Sequence, residues 1–407
     1  MTKAQHLRRR RIVPGAAVVA VTALLLSACG STSSDTATEA TGGGTGSSSG
    51  SPAVTATRPA APEGELPDAL QAELQAAVDA TMAEYTVPGA AVGVWIPGQG
   101  SWTTAKGSAD IEGDVAASTE LQWPLRSITK SYTVTLLLQL VDEGKLSLDD
   151  TVGQYVDGVT NGDEITLKQL ANMSSGMSDY TTKAFETDFF KDTSKIYTLD
   201  ELNSFALGQP AQFDPGTEYL YTNANTNVLG AVIEKVTGEP YADVLQERIL
   251  DPLGQTGTQY ITDDADWAAP HPARYVVQDG TPEAQPQNPS IFGAAGSLFS
   301  TLDDGRVWAE TLGSGALLKP GTQEVRQEGH PIPSPPYDQY ALGMGETDGW
   351  WGHNGEGLGF TAAVFHDDET GASIVVYMNE SNVADGSHPA DQTFRALAGV
   401  LANEETN

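Results

Sequence analysis

The chain has 407 residues, with 54 Asp and Glu against 21 Lys and Arg, a formal charge of −33. A surface this acidic repels polyanions, which excludes nucleic acid and anionic headgroups as partners. Cys29 is the only cysteine, so no intramolecular disulfide is available.

Lys3 and Arg8 to Arg11 precede an apolar stretch, Ile12 to Leu26, which ends at Leu26-Ser27-Ala28-Cys29. A basic head, a short apolar run and small residues at the break mark residues 1–29 as an export signal. The break resembles the lipobox of bacterial lipoproteins, and that resemblance implies that Cys29 is diacylated and becomes the mature N-terminus. Five of the 21 basic residues lie in this segment, so its removal takes the charge to −38. Residues 30–65 are rich in Ser, Thr, Gly and Pro and have too little apolar surface to offset ordering entropy; they are expected to form a disordered tether. No later run is long and apolar enough to span a bilayer, so membrane attachment is expected to rest on the lipid at Cys29. The folded body, 66–403, is then held on the outer face of the bacterial cell membrane.

Within the body, Leu70, Leu74, Val78, Met82 and Tyr85 recur at helical spacing and stop at Pro88-Gly89. Ala90 to Ile96 and Ser101 to Ala109 flank Pro97-Gly98-Gln99-Gly100, which reads as a hairpin. Ser131 to Glu143 carries Leu136, Leu137, Leu138, Leu140 and Val141 without Gly or Pro, and Gly144 supplies a stop. Val228 to Glu234 reads as another helix. Phe360 to His366 and Ala372 to Met378 form a second hairpin, followed by a helix with Phe394, Leu397, Val400 and Leu401 on one face. Strands at both ends of the body and a mostly helical middle give an α/β fold of the α+β kind. Its antiparallel sheet is built from both termini and flanked by helices, with an inserted helical lobe.

Chemistry concentrates in three places. Ser127-Ile-Thr-Lys130 sets a hydroxyl and an amine on one face at the head of a helix. The positive end of that helix favours a serine alkoxide and disfavours a lysine cation. Tyr221-Thr-Asn223 offers a phenol whose pKa a nearby lysine cation would lower, together with an amide for a substrate carbonyl or for the lysine. His353-Asn354-Gly355 enters a strand where a missing side chain lets a substrate backbone approach, and His353 is placed to add positive charge. His6, His271, His330, His366 and His388 form no metal-spaced cluster, and no cofactor or metal is implied.

In this order and at spacings of 94 and 132 residues, the three patterns resemble the motifs of the penicillin-recognising serine hydrolases. The branch is that of class C β-lactamases, Streptomyces-type D-alanyl-D-alanine carboxypeptidases and related esterases and aminopeptidases. Leu138 to Leu146, Ile165 to Leu170 before Ser174-Ser-Gly176, and Ala295 to Thr301 are similar to text of that family. The resemblance implies a β-lactamase/transpeptidase-like fold and an acyl-enzyme formed on Ser127. Lys130 and Tyr221 would move its proton, which of them is the base being left open, and Asn223 would orient the substrate. His353, Asn354, Gly355 and Glu356 would line the substrate strand, with an oxyanion hole of the Ser127 and Glu356 backbone N–H groups.

The implied substrates are small molecules or peptides, including peptidoglycan stem peptides. Three departures bear on them. The third motif reads His-Asn-Gly, where β-lactamases of this branch carry Lys-Thr-Gly and carboxypeptidases His-Thr-Gly. Leu342 to Thr347 offers Glu346 but no arginine for a substrate carboxylate. Arg126 replaces the small residue often found before the nucleophile. The activities that remain open are D-alanyl-D-alanine carboxypeptidase-like or related amide hydrolysis, class C-like β-lactamase or esterase, and a catalytically silent recognition protein. A Ser-His-Asp hydrolase has no support, since the body lacks a Gly-x-Ser-x-Gly elbow.

Overall fold

The structure, a computed structural model, describes residues 56–278, 280–284, 288–333, 336–381 and 388–405. Residues 1–55, with Cys29 and the segments read from the sequence as an export signal and the first part of a tether, lie outside the described residues. Helix α1 (Asp68–Tyr85) buries Leu70, Leu74, Val78 and Met82 along one stripe, and Thr86 closes it with a left-handed φ of 56°. Strands β1 (Gly89–Ile96) and β2 (Gly100–Asp110) make the expected hairpin, and β3 (Val115–Ala116) adds to its edge. The chain then leaves the sheet for α2 (Thr129–Asp142), α3 (Asn223–Thr237) and α4 (Leu302–Ser314). It returns through the short strands β4 (His330–Pro331), β5 (Gln339–Tyr340) and β6 (Gly345–Thr347). The long strands β7 (Trp350–Gly357), β8 (Phe360–Asp367) and β9 (Ser373–Met378) follow, and α5 (Pro389–Glu405) ends the body.

Among the described residues these nine strands form one antiparallel sheet in the order β3-β2-β1-β9-β8-β7-β6-β5-β4. The N-terminal hairpin joins the C-terminal one through β1 and β9, with Ala90 opposite Met378 and Val94 opposite Ile374. Helices cover both faces, which is why every position of β1 and β9 is buried and neither strand alternates apolar with polar. On one face Val92, Val94 and Val376 meet α1 and α5, and Phe365 stacks on Phe394 with ring centroids 4.0 Å apart. On the other, Ala91, Val364 and Val375 meet α4. There Gly305 permits a close approach, since a Cβ would stand 2.1 Å from the Tyr377 hydroxyl.

α2 runs through the interior, and every residue from Thr129 to Leu138 is buried. Tyr132 stacks on Trp308 of α4. The inserted lobe lies between α2 and α4, and its short helices Leu167–Ala171, Lys183–Lys191 and Leu199–Ala206 each begin at a capping threonine side chain.

The body also begins earlier than the tether boundary at residue 65 implies. Arg58 pairs with Asp303 and, at 2.7 Å, with Asp304, and it donates to the Gly254 carbonyl at 2.7 Å. The Pro59 carbonyl accepts from Arg306 at 3.2 Å, and Ser101 N–H donates to the Gly64 carbonyl at 3.0 Å. Composition alone misses this strap because its order comes from one arginine and from backbone groups.

Candidate active site

Ser127 lies in a 3-10 turn, Arg126–Ile128, that feeds directly into α2. It is the single residue from Trp123 to Leu138 that is not buried, so one hydroxyl breaks an otherwise closed core segment. One turn on, Lys130 is fully buried. Its Nζ lies 2.9 Å from Ser127 Oγ, 2.8 Å from Asn223 Oδ1 and 3.0 Å from the Ala295 carbonyl. Burial pulls the amine from 10.5 down to about 7, with the Asp179 carboxylate acting the other way. A neutral amine keeps two N–H groups for Asn223 and Ala295 and turns its lone pair to the Ser127 hydroxyl. The three contacts therefore fit the basic form of the lysine.

Tyr221 packs its ring 4.9 Å below Lys130 Nζ. Its buried hydroxyl meets no partner at full hydrogen-bond geometry among the described residues, though Ser127 is near enough to offset part of the burial. Burial pushes this phenol well above 10, opposite to the lowering expected from a neighbouring lysine cation. The expectation fails because the lysine beside it is itself drawn toward neutrality. The Tyr221 phenol therefore keeps its proton at neutral pH, where the Lys130 amine is drawn toward its uncharged form.

The third motif differs from its reading in the sequence. His353 is fully buried and held down to about 3 by burial, so it adds no positive charge. Its Nδ1–H faces the Asn354 carbonyl, and Tyr340 donates to Nε2 at 3.1 Å. Asn354 points to the opposite face of the sheet, where its Oδ1 accepts from the Tyr337 hydroxyl at 2.7 Å and its amide nears Asp391 of α5 at 3.4 Å. Gly355 makes room for the protein's own backbone, because a Cβ there would lie 2.1 Å from the Leu125 carbonyl. Glu356 is half-buried and accepts from the Ser381 hydroxyl at 3.0 Å. β6 covers β7 only as far as Gly352, which leaves residues 353–357 without a strand partner among the described residues on the side of Ser127.

The structure therefore brings Ser127, Lys130, Tyr221 and Asn223 together, and sets Gly355 against the turn that carries Ser127. Several further contributors have little sequence signal. Asp179 is half-buried and its carboxylate accepts the Asn223 N–H at 3.2 Å and the Tyr180 N–H at 2.6 Å, at the positive end of α3. Asn227 holds the Ala295 N–H at 3.0 Å and so aims the carbonyl that Lys130 uses. Asp179 follows Ser174-Ser-Gly176 closely, but nothing in its spacing points to a lysine 49 positions earlier. Among the described residues no three His, Cys, Asp or Glu side chains are grouped to hold a metal ion.

The sequence model of the Beta-lactamase family matches residues 74–398, which takes in every part of this site. The chain belongs to the β-lactamase family. Of its solved members, a D-stereospecific amidohydrolase from a Streptomyces species is 30% identical, covering 77% of this chain and 94% of that one with a TM-score of 0.68. A D-amino acid amidase from Ochrobactrum anthropi shares the fold with a TM-score of 0.73 at 23% identity, covering 83% of this chain and 100% of that one. The D-aminopeptidase of Brucella canis is 28% identical over 331 residues, 77% of this chain and 61% of the relative. The protein flp of Staphylococcus aureus is 29% identical over 219 residues, 52% of this chain and 42% of the relative. The chain thus spans about half the length of these two curated relatives. The β-lactamase fold, with its terminus-built sheet and helical lobe, is the architecture expected from the sequence.

Proposed function

We propose that this β-lactamase family member is an exported, lipid-anchored serine hydrolase that forms an acyl-enzyme on Ser127 and acts on amides of D-amino acids. The observation that carries the reading is the buried Lys130 amine, drawn to about 7 and 2.9 Å from Ser127 Oγ. Lys130 removes the Ser127 proton as Oγ attacks the carbonyl, that proton passes by way of Tyr221 to the leaving amine as its C–N bond breaks, and water then cleaves the acyl-enzyme to free the acid and Ser127. The contact between Ser127 and Lys130 speaks against a silent recognition protein, which has no use for a primed nucleophile.

Amide substrates are favoured over peptides ending in a free carboxylate. His353 is uncharged, and Glu346 stands on β6 in place of an arginine, engaged with Gln339 at 3.1 Å and with the Gly349 N–H at 2.6 Å. The D-stereospecific amidohydrolase and the D-aminopeptidase among the relatives support the same class. In kinetic assays, D-amino acid amides should be turned over at least about tenfold better, by kcat/KM, than a peptide ending in D-Ala-D-Ala. Equal or reversed preference would favour the carboxypeptidase reading, with stem peptides as substrate. Ser127→Ala should abolish both covalent fluorophosphonate labelling and turnover, by about 10⁴-fold or more. Attachment rests on the lipobox-like Cys29. Cys29→Ser should move the protein from the membrane fraction to the soluble one, and continued membrane residence would defeat the anchor.

A further inference from the structure

Arg126 stands directly before the nucleophile, fully buried, with a left-handed φ of 51°. A side chain held in that region is strained and persists only where its surroundings over-determine it. Here the surroundings are explicit. Arg126 Nε–H donates to the Gly357 carbonyl at 3.0 Å. The guanidinium carbon lies 4.6 Å from the ring centre of Phe292, 5.4 Å from that of Phe360 and 5.8 Å from that of Phe299, an arrangement of cation over aromatic faces. Two residues before Gly357, Gly355 is pressed against the Leu125 carbonyl, and a Cβ on it would also come within 3.1 Å of Arg126 Cβ. The turn carrying Ser127 is thus gripped by β7 at Gly355 and at Gly357, and Glu356 lies between the two grips.

We propose that Arg126 is a positioning residue that fixes the separation of the Ser127 and Glu356 backbone N–H groups, the two donors facing the oxyanion of the acyl-transfer intermediate. The inference rests on the acyl-enzyme reading above. One donor belongs to a 3-10 turn and the other to a strand whose edge has no partner strand beyond Gly352 among the described residues, so no sheet ladder there sets their spacing. The Arg126 side chain supplies the missing joint, and the three rings hold its planar head in one orientation. Donors of this kind work only when aimed at the oxyanion rather than at the ground-state carbonyl, so loosening the joint weakens the transition state and leaves substrate binding intact.

Arg126→Met keeps a stem among the rings and removes both the donor and the charge. On a D-amino acid amide its kcat should fall about 10²-fold while KM stays within about twofold. Phenylboronic acid, which forms a tetrahedral adduct with the serine, should lose affinity by a similar factor. An unchanged kcat, or a rise in KM alone, overturns the proposal. If Arg126→Met does not fold, as judged by near-ultraviolet circular dichroism, Phe292→Leu decides: it loosens the guanidinium without removing it. That variant should lose kcat and boronate affinity several-fold together, and wild-type values would overturn the proposal. Failure of wild-type Ser127 to accept a fluorophosphonate would instead sink the acyl-enzyme reading. A labelled wild type with fully active Arg126 variants sinks only the role of Arg126.

Discussion

A lysine enclosed by a serine hydroxyl, an asparagine oxygen and a carbonyl uses its partners differently in its two protonation states. As an ammonium it donates to all three, and as an amine it donates to two and accepts from the serine. Only the second state can take the Ser127 proton in the proposed acyl transfer. Because burial brings Lys130 to about 7, kcat/KM should rise with pH through that value and fall away below it. Asp179 is the charged neighbour that opposes the burial, holding the amine higher than desolvation alone would. Removing its charge in Asp179→Asn therefore lowers the lysine further. The acid limb should move to lower pH, and the plateau should drop because a weaker base takes the proton less readily. A pH profile of kcat/KM from 5 to 9 for both proteins checks the sign. A limb that stays in place or moves upward would show that Asp179 only caps α3.

At the scale of elements, what the sequence discloses depends on how local the cause is. α1 and the two hairpins were legible because Leu70, Leu74 and Val78 repeat with the helix, and because Pro97-Gly98 and Gly371 punctuate the strands. Ser127, Lys130, Tyr221 and Asn223 were legible as residue types at sensible spacing. Their meeting point was legible only through the family resemblance, since spacing by itself says nothing of α3 arriving at α2 from 93 positions away. Gly355 shows the limit most sharply: its need for space was readable, but the obstacle is the Leu125 carbonyl, which no sequence pattern names. The same placement makes a prediction. In Gly355→Ala the new methyl would overlap that carbonyl, so β7 must part from the nucleophile turn. Stability should fall by about 3 kcal/mol or more, since backbone cannot yield as a side chain does. Any protein that still folds should be nearly inactive, because the donor at Glu356 moves with the strand. Urea denaturation alongside kinetics separates the two effects. Full activity at normal stability would show that the close approach has no role.

For the whole molecule the decisive boundary is the one between the expected tether and the body. A disordered leader adds no stability, whereas the strap at 56–65 joins three places distant in sequence: the Gly254 loop, the start of α4 and the first residues of β2. Arg58 does most of the joining, and one of its partners, Asp304, is nearly buried and also holds the Gly257 N–H at 2.7 Å. Trimming the chain to begin at Leu66 removes all of these contacts, and Arg58→Ala removes those of Arg58 with less disturbance. Arg58 is 32% exposed, so its hydrogen bonds to charged partners are screened, and the substitution should cost about 1–2 kcal/mol. The cost should shrink in high salt as the pairing with Asp303 and Asp304 weakens. Since neither Arg58 nor its partners belong to the Ser127 site, kcat and KM should not change. Urea midpoints for the chain starting at Ala56, the chain starting at Leu66 and Arg58→Ala measure this directly. Equal midpoints for the two starting points would return residues 56–65 to the tether, whereas a lower midpoint for both altered proteins places the mechanical end of the tether at Ala56 and makes the strap part of the fold.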